Sequence, residues 1–295
     1  LIEISPKTRV AVVQGNIDQA VKWDPAFQID TVKKYNRLSA SITKQRPDLI
    51  VWPESATPFY FLYDIKPTEL VFEGIRQTTA DYLIGSPSFT QTGDVVRYFN
   101  SAYLISPLTK HMSKYDKTHL VPFGEYVPLK KWLPFLGKIV AQVGDFKAGK
   151  EGETLLWKTE QVGIQICYEI IFPRLSRAMA KNDASLLINI TNDAWFGKTS
   201  GPYQHFSMTV FRAVENRRAL VRSANTGISG FIDPAGRVLD STPLLQDAAL
   251  ARSIPLLKTK TVYTRIGDLF AQLCFVSALI VGLLEIFKFA LKFRK

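Results

Sequence analysis

Only two cysteines, three histidines and three methionines occur in 295 residues. Cys167 and Cys274 stand far apart, the second inside a strongly apolar run, which argues against a disulfide between them and leaves the redox compartment open. His111, His119 and His205 lack the spacing of a metal-ligand set, so no metal is assigned. There is no glycine-rich phosphate loop, no internal repeat and no signal-peptide pattern after Leu1. Acidic residues are the minority, 26 against 37 Lys and Arg, for a formal charge of +11. The basic residues are spread along the chain without a nucleic-acid motif, so no nucleic acid is expected, and an anionic membrane surface accounts for the same excess.

Apolar residues make up 46% of the chain, enough for a buried core. Thr8 to Gly15 and Asp48 to Trp52 read as buried strands, and Phe27 to Gln45 between them as an amphipathic helix. Asn16 to Ala26, which contains Trp23, reads as a loop. Glu69 to Thr79 is an expected helix, Asp81 to Gly85 a strand, and Arg97 to Ser106 with Lys110 to Tyr115 a hairpin. Asp116 to Gly152 breaks the alternation with prolines, glycines and apolar side chains, as a lid or binding loop would. Beyond it come paired strands at Thr154 to Thr159 and Gln161 to Cys167, a helix at Arg174 to Lys181 and a strand at Ser185 to Ile190. A helix at Tyr203 to Arg218 and strands at Leu220 to Asn225, Gly227 to Asp233 and Arg237 to Leu239 complete an α/β alternation.

After Lys260 the composition changes. Leu269 to Leu284 carries no charge, and the apolar segment runs on past Glu285 and Lys288. A spanning helix and a surface-lying amphipathic helix both fit that length, with the spanning helix favoured. Lys288, Lys292, Arg294 and Lys295 would place its far end in the cytoplasm and the preceding domain outside it.

Three polar side chains stand at strand exits or in the long loop. Glu54 is the first polar side chain after the Asp48 to Trp52 strand, Lys117 opens the irregular segment, and Cys167 ends an apolar strand where a helix begins. At such a turn the helix dipole is expected to favour thiolate over thiol. A carboxylate can take the thiol proton and a lysine can hold the thiolate and then a tetrahedral oxyanion, which together describe acyl transfer. Taken singly, Cys167 also reads as a structural cysteine, Glu54 as a helix cap and Lys117 as an ordinary basic residue.

Trp52 to Ser55 (Trp-Pro-Glu-Ser), Lys117 to Glu125 and Cys167 to Glu169 (Cys-Tyr-Glu), in that order, resemble the Glu-Lys-Cys triad of the nitrilase superfamily. Val-Gln-Gly-Asn-Ile near the start, Val-Pro-Phe-Gly-Glu, Thr191 to Gly197, Arg212 to Arg218 and the terminal apolar helix resemble its apolipoprotein N-acyltransferase branch. The resemblance spans about residues 8 to 290. It implies a nitrilase-like αββα sandwich over residues 1–260 and a C-terminal transmembrane helix with a short basic tail over 261–295. Glu54 would be general base, Lys117 oxyanion stabiliser and Cys167 nucleophile, supported by Glu125, Tyr168 and Glu169. The implied partners are a phospholipid acyl donor such as phosphatidylethanolamine and a diacylglyceryl apolipoprotein acceptor at the inner membrane, with the domain facing the periplasm. No cofactor is implied.

Trp23, Phe59, Tyr60, Trp132, Phe135 and Leu136 are the expected substrate-binding residues, forming a greasy entrance that faces the bilayer. The branch carries several membrane helices ahead of this domain, so the chain is expected to be truncated. The alternatives are a membrane-attached amidase acting on a small amide and a catalytically silent membrane-anchored binding protein.

Overall fold

Along β1 (Lys7–Gln14), Val10 and Val12 point into one core and Ala11 and Val13 into another, and all four are fully buried. A strand whose two faces are both covered must lie between layers, and the period of two along β1 shows it. The computed structural model describes residues 4–126, 128 and 145–292.

The first sheet has the order β12-β1-β2-β3-β4-β5, with β2 at Leu49–Val51, β3 at Asp81–Thr92, β4 at Val95–Ser106, β5 at His111–Asp116 and β12 at Ala248–Pro255. Strands β1, β2 and β3 are parallel, whereas β4, β5 and β12 are antiparallel to their neighbours. The second sheet has the order β11-β10-β9-β8-β7-β6, with β6 at Thr154–Trp157, β7 at Glu160–Ile166, β8 at Ala184–Thr191, β9 at Ala219–Ala224, β10 at Gly230–Ile232 and β11 at Val238–Ser241. Here β7, β8 and β9 are parallel.

Val12, Val51 and Leu104 meet Ile164, Ile188 and Val221 in the core between the sheets. Short α1 (Gln19–Lys22) precedes α2 (Gln28–Ile42) and α3 (Ile65–Arg76). Val32 and Tyr35 of α2 and Val71 and Ile75 of α3 pack with Ala11, Ile50 and Trp52 on the outer face of the first sheet. The second sheet is covered by α4 (Pro173–Lys181) and α5 (Gly201–Asn216), whose Met179 and Ala213 join its apolar side chains. The result is the expected αββα sandwich.

Three elements differ from expectation. The segment read as a loop contains α1, begun by the Asp18 carboxylate accepting from the Ala20 N–H at 2.9 Å, so an N-cap signal was present but short. β3 runs on to Thr92 instead of stopping at Gly85, forming with β4 a hairpin arm whose tip is in solvent. β12, unread in the sequence, pairs with β1 from Lys7↔Pro255 to Gln14↔Ala248.

After α6 (Val262–Ile266), α7 runs over Leu269–Lys292, and its Leu269–Phe289 stretch of 21 residues has none of its window buried against the protein. At 1.5 Å per residue it spans about 32 Å, the thickness of a bilayer's hydrocarbon core. An apolar helix that long, uncovered among the described residues, matches the length and composition of a membrane span.

Candidate active site

The parallel strands β2, β7 and β8 bring their carboxyl ends together, where open α/β sheets bind ligands. β2 leads through Trp52 and Pro53 to Glu54, and the next residue, Ser55, turns through a positive φ of 47°. Glu54 is buried. Its Oε1 accepts from Asn100 Nδ2 at 2.8 Å, and its Oε2 accepts from the Asn192 backbone N–H at 2.9 Å.

Lys117 follows β5 and is buried, with its backbone N–H donating to the Asn100 carbonyl at 2.8 Å. Its Nζ lies 2.9 Å from Glu125 Oε1, to which it donates, and 3.7 Å from Glu54 Oε1. Asn100 Nδ2 donates to Glu125 Oε1 as well, at 2.8 Å, so one amide ties both carboxylates. Burial alone would lower the Lys117 ammonium, but the charges of Glu54, Cys167, Glu125 and Glu169 outweigh it and hold it above the ordinary lysine value. Lys117 stays a cation.

Cys167 directly follows β7 in a left-handed backbone, φ 54°, and is half-buried. A side chain with a Cβ seldom adopts that conformation unless its surroundings impose it. Contrary to the thiolate expected from the helix dipole, the thiol is pushed up to about 12, by burial first and then by the Glu54 carboxylate, with Lys117 and the Thr191 hydroxyl opposing. Cys167 opens a five-residue turn, Cys167–Ile171, rather than a long helix, so burial and the Glu54 charge prevail. A neutral thiol at neutral pH needs a base at the moment it attacks, and Glu54 is the carboxylate whose charge the thiol feels most.

Glu169, two residues on, is fully buried and acts as an anchor. Its carboxylate accepts from the Ile166, Thr118 and His119 backbone N–H groups at 2.7, 2.6 and 2.9 Å and from the Tyr115 hydroxyl at 3.1 Å. It pins the start of the Lys117 loop to the end of β7. Glu125 Oε2 does the same within that loop, accepting from the Val121 N–H at 2.9 Å. Tyr168 is exposed, its ring 5.2 Å from Phe172 and 6.3 Å from His119.

Several neighbours were not anticipated. Lys22, at the end of α1, is buried and donates from Nζ to the Glu54 carbonyl at 3.1 Å, and burial lowers it to about 8. Asn100 lies inside a hairpin strand that reads as framework. Behind Cys167, the Cys167 carbonyl faces His205 Nε2 at 3.3 Å and Asn189 Nδ2 at 3.4 Å. His205 Nδ1 lies 2.8 Å from Asp193 Oδ1, and Arg222 Nη2 donates to Asp193 Oδ2 at 2.7 Å. Although burial opposes it, the Arg222 and His205 charges hold Asp193 well below the usual carboxylate range, while burial and Arg222 lower His205. A charged residue in the apolar strand Leu220-Val221-Arg222 was the one sequence signal for this network, since buried charge demands a partner. Arg212 and Arg218, in a motif that also marked the family, bond the Ile171 carbonyl and the Asn216 and Thr259 carbonyls and act as framework.

The expected apolar entrance is divided. Phe59, expected at the substrate entrance, is buried with Phe61 in the core above the first sheet. Tyr60 is half-buried against Phe89 and Tyr98, with ring centroids 5.3 and 6.0 Å apart, and the Tyr63 ring lies tilted against Phe89 with centroids 4.1 Å apart. This wall adjoins the Lys117 loop, since Lys147 donates its N–H to the Tyr98 carbonyl and Phe146 donates its own to the Glu125 carbonyl. Trp23 is exposed next to Lys22. Trp132, Phe135 and Leu136 lie outside the described residues.

An apolipoprotein N-acyltransferase of Geobacter metallireducens is 49% identical over 94% of this chain and 53% of its own length. That of Bdellovibrio bacteriovorus is 37% identical over 82% of this chain and 47% of its own. This chain therefore spans about half the length of the curated relatives it matches. The crystal structure of an amidase from Nesterenkonia sp. superposes with a TM-score of 0.61 at 20% identity, covering 86% of this chain and 93% of that one, which is a likeness of fold. The carbon-nitrogen hydrolase profile matches residues 9–259, both sheets and every residue of the site just described, and the chain belongs to that family.

Proposed function

We propose that this chain carries the catalytic part of an apolipoprotein N-acyltransferase, with residues 1–260 as its catalytic domain and 261–295 as a membrane helix with a basic tail. Glu54 takes the Cys167 proton as the sulfur adds to the ester carbonyl of a phospholipid, phosphatidylethanolamine being the expected donor. Lys117 holds the oxyanion. Collapse expels the lysophospholipid alkoxide, which takes the proton back from Glu54, and leaves a thioester on Cys167. The α-amine of a diacylglyceryl-cysteine then adds to the thioester, loses a proton to Glu54 and expels the thiolate, which Glu54 reprotonates. That is a ping-pong transfer with a covalent intermediate.

The observation that carries this reading is a buried Glu54–Lys117 pair acting on a strained cysteine, in a domain that ends on an exposed apolar helix of bilayer length. The names of the relatives support the acyl acceptor. The aromatic wall of Tyr60, Tyr63, Phe89 and Tyr98, together with Trp23, suits an acyl chain and would shield the thioester from water. The basic residues Lys288, Lys292, Arg294 and Lys295, toward the end of the apolar segment and beyond it, favour an inner-membrane enzyme whose domain faces the periplasm.

Intact mass of the protein after incubation with phosphatidylethanolamine vesicles tests the reading. An acyl adduct on Cys167 is expected, absent in Cys167→Ala and discharged as an amide by a diacylglyceryl-cysteine peptide. Hydrolysis of small amides with no adduct from phospholipid would make it an amidase.

A further inference from the structure

The left-handed turn at Cys167 aims its side chain and its carbonyl in different directions, and the structure provides for both. The sulfur is under the influence of Glu54 and Lys117. The carbonyl oxygen points into the second sheet, where His205 Nε2 and Asn189 Nδ2 approach it. A carbonyl only accepts, so the ring nitrogen facing it must carry a hydrogen. On the opposite edge, Nδ1 has the Asp193 carboxylate at 2.8 Å and the Arg222 Nη2 donor at 3.0 Å. Nδ1 can therefore accept from Arg222 in a neutral ring or donate to Asp193 in a charged one. Either assignment leaves the hydrogen on Nε2.

We propose that His205, oriented by Asp193 and Arg222, is a positioning residue that holds the Cys167 carbonyl and so keeps the nucleophile in its strained, attack-ready turn. Its ring nitrogens face the Cys167 carbonyl, Asp193 and Arg222. The pair resembles the base dyad of a hydrolase in composition, but its imidazole is turned to the main chain, leaving proton transfer to Glu54. The cluster is built for rigidity: Thr191 donates its hydroxyl to Asp193 Oδ1 at 3.0 Å, Asn189 also bonds Arg222, and Asp193 and Arg222 have no surface exposed. Asn192, between Thr191 and Asp193, presents its N–H to Glu54. One tripeptide thus locates the base directly and the nucleophile through His205.

The inference rests on Cys167 being the nucleophile, and two substitutions separate the edges of the ring. In His205→Gln the amide nitrogen takes the place of Nε2 and can still donate to the Cys167 carbonyl. In His205→Asn the amide reaches only the place of Nδ1. In the full chain in phospholipid micelles, single-turnover acylation of Cys167 is expected to fall on the order of 10²-fold in His205→Asn with KM unchanged, the loss expected of a misplaced nucleophile. His205→Gln should stay within about tenfold of wild type. Alkylation of Cys167 by iodoacetamide at pH 8 needs no lipid and should follow the same order, so it reads the turn even if the wild type takes no acyl group. Equal alkylation in both variants and wild type, or equal losses in both in step with their melting temperatures, would overturn the proposal. An unacylated wild type with the alkylation order intact would instead count against the assigned reaction.

Discussion

The Asn192 backbone N–H donates to Glu54 Oε2 at 2.9 Å, and this bond ties the carboxyl end of β8 in one sheet to that of β2 in the other. With Asn100 on Oε1 and Lys22 on the carbonyl, Glu54 is fixed at three points. A carboxylate so held cannot turn away from the thiol whose acidity it suppresses.

Glu54→Gln should therefore split two properties that usually move together. Without the negative charge, Lys117 acts on the sulfur with less opposition and the thiol drops from about 12. Alkylation of Cys167 by iodoacetamide at pH 8 should rise. Acyl transfer loses its base and should fall by about 10²- to 10⁴-fold. Parallel losses in both assays would mean that Glu54 only supports the fold.

Gly85 governs the same carboxylate from behind. A Cβ there would lie 2.4 Å from the Pro53 carbonyl oxygen, 2.7 Å from Glu54 Cα and 2.8 Å from the Ser55 nitrogen. These are main-chain atoms, so the strand exit itself must move. Gly85→Ala should cost about 1–3 kcal/mol of stability and, by displacing Glu54, on the order of 10²-fold in turnover. Melting temperature and kcat measured on one preparation check this, and an unchanged kcat would separate the exit of β2 from the chemistry.

Of the proposed catalytic trio, Glu54 and Cys167 were legible because each stands where an apolar strand stops, after Trp52 and Pro53 and after β7, whereas Lys117 follows the more polar β5 and was marked by the resemblance of Lys117 to Glu125. The alternation of periods two and 3.6 indicated an α/β chain, while the αββα sandwich was implied by the family resemblance. What escaped were the supports. Lys22 hides in a four-residue helix, Asn100 in the middle of a hairpin strand, and His205 on a helix whose buried face looks like any other. Periodicity says which side of an element faces a core, and it does not say which distant polar groups meet there. Nor did it foresee β12 closing on β1 across most of the chain, or that burial and Glu54 would outweigh a helix dipole at Cys167.

Lys22 offers a test that depends on pH. Burial lowers it from 10.5 to about 8, against the opposing charge of Glu54. Below pH 8 the folded and unfolded chains both hold this proton, and the folded state bears a desolvated charge that costs on the order of 3 kcal/mol. Between pH 8 and 10.5 the unfolded chain binds more protons than the folded one, so this residue's contribution to stability rises with pH across that window. Lys22→Met has no such group and should lack the rise. Its stability relative to wild type should be greatest near pH 7 and decline toward pH 10.5, even as loss of the donor to the Glu54 carbonyl lowers turnover at every pH. Denaturant unfolding of both proteins in micelles at pH 7.5 and 10.5 measures the difference, and parallel curves would mean that the Lys22 ammonium is solvated rather than sealed beneath the Glu54 residue.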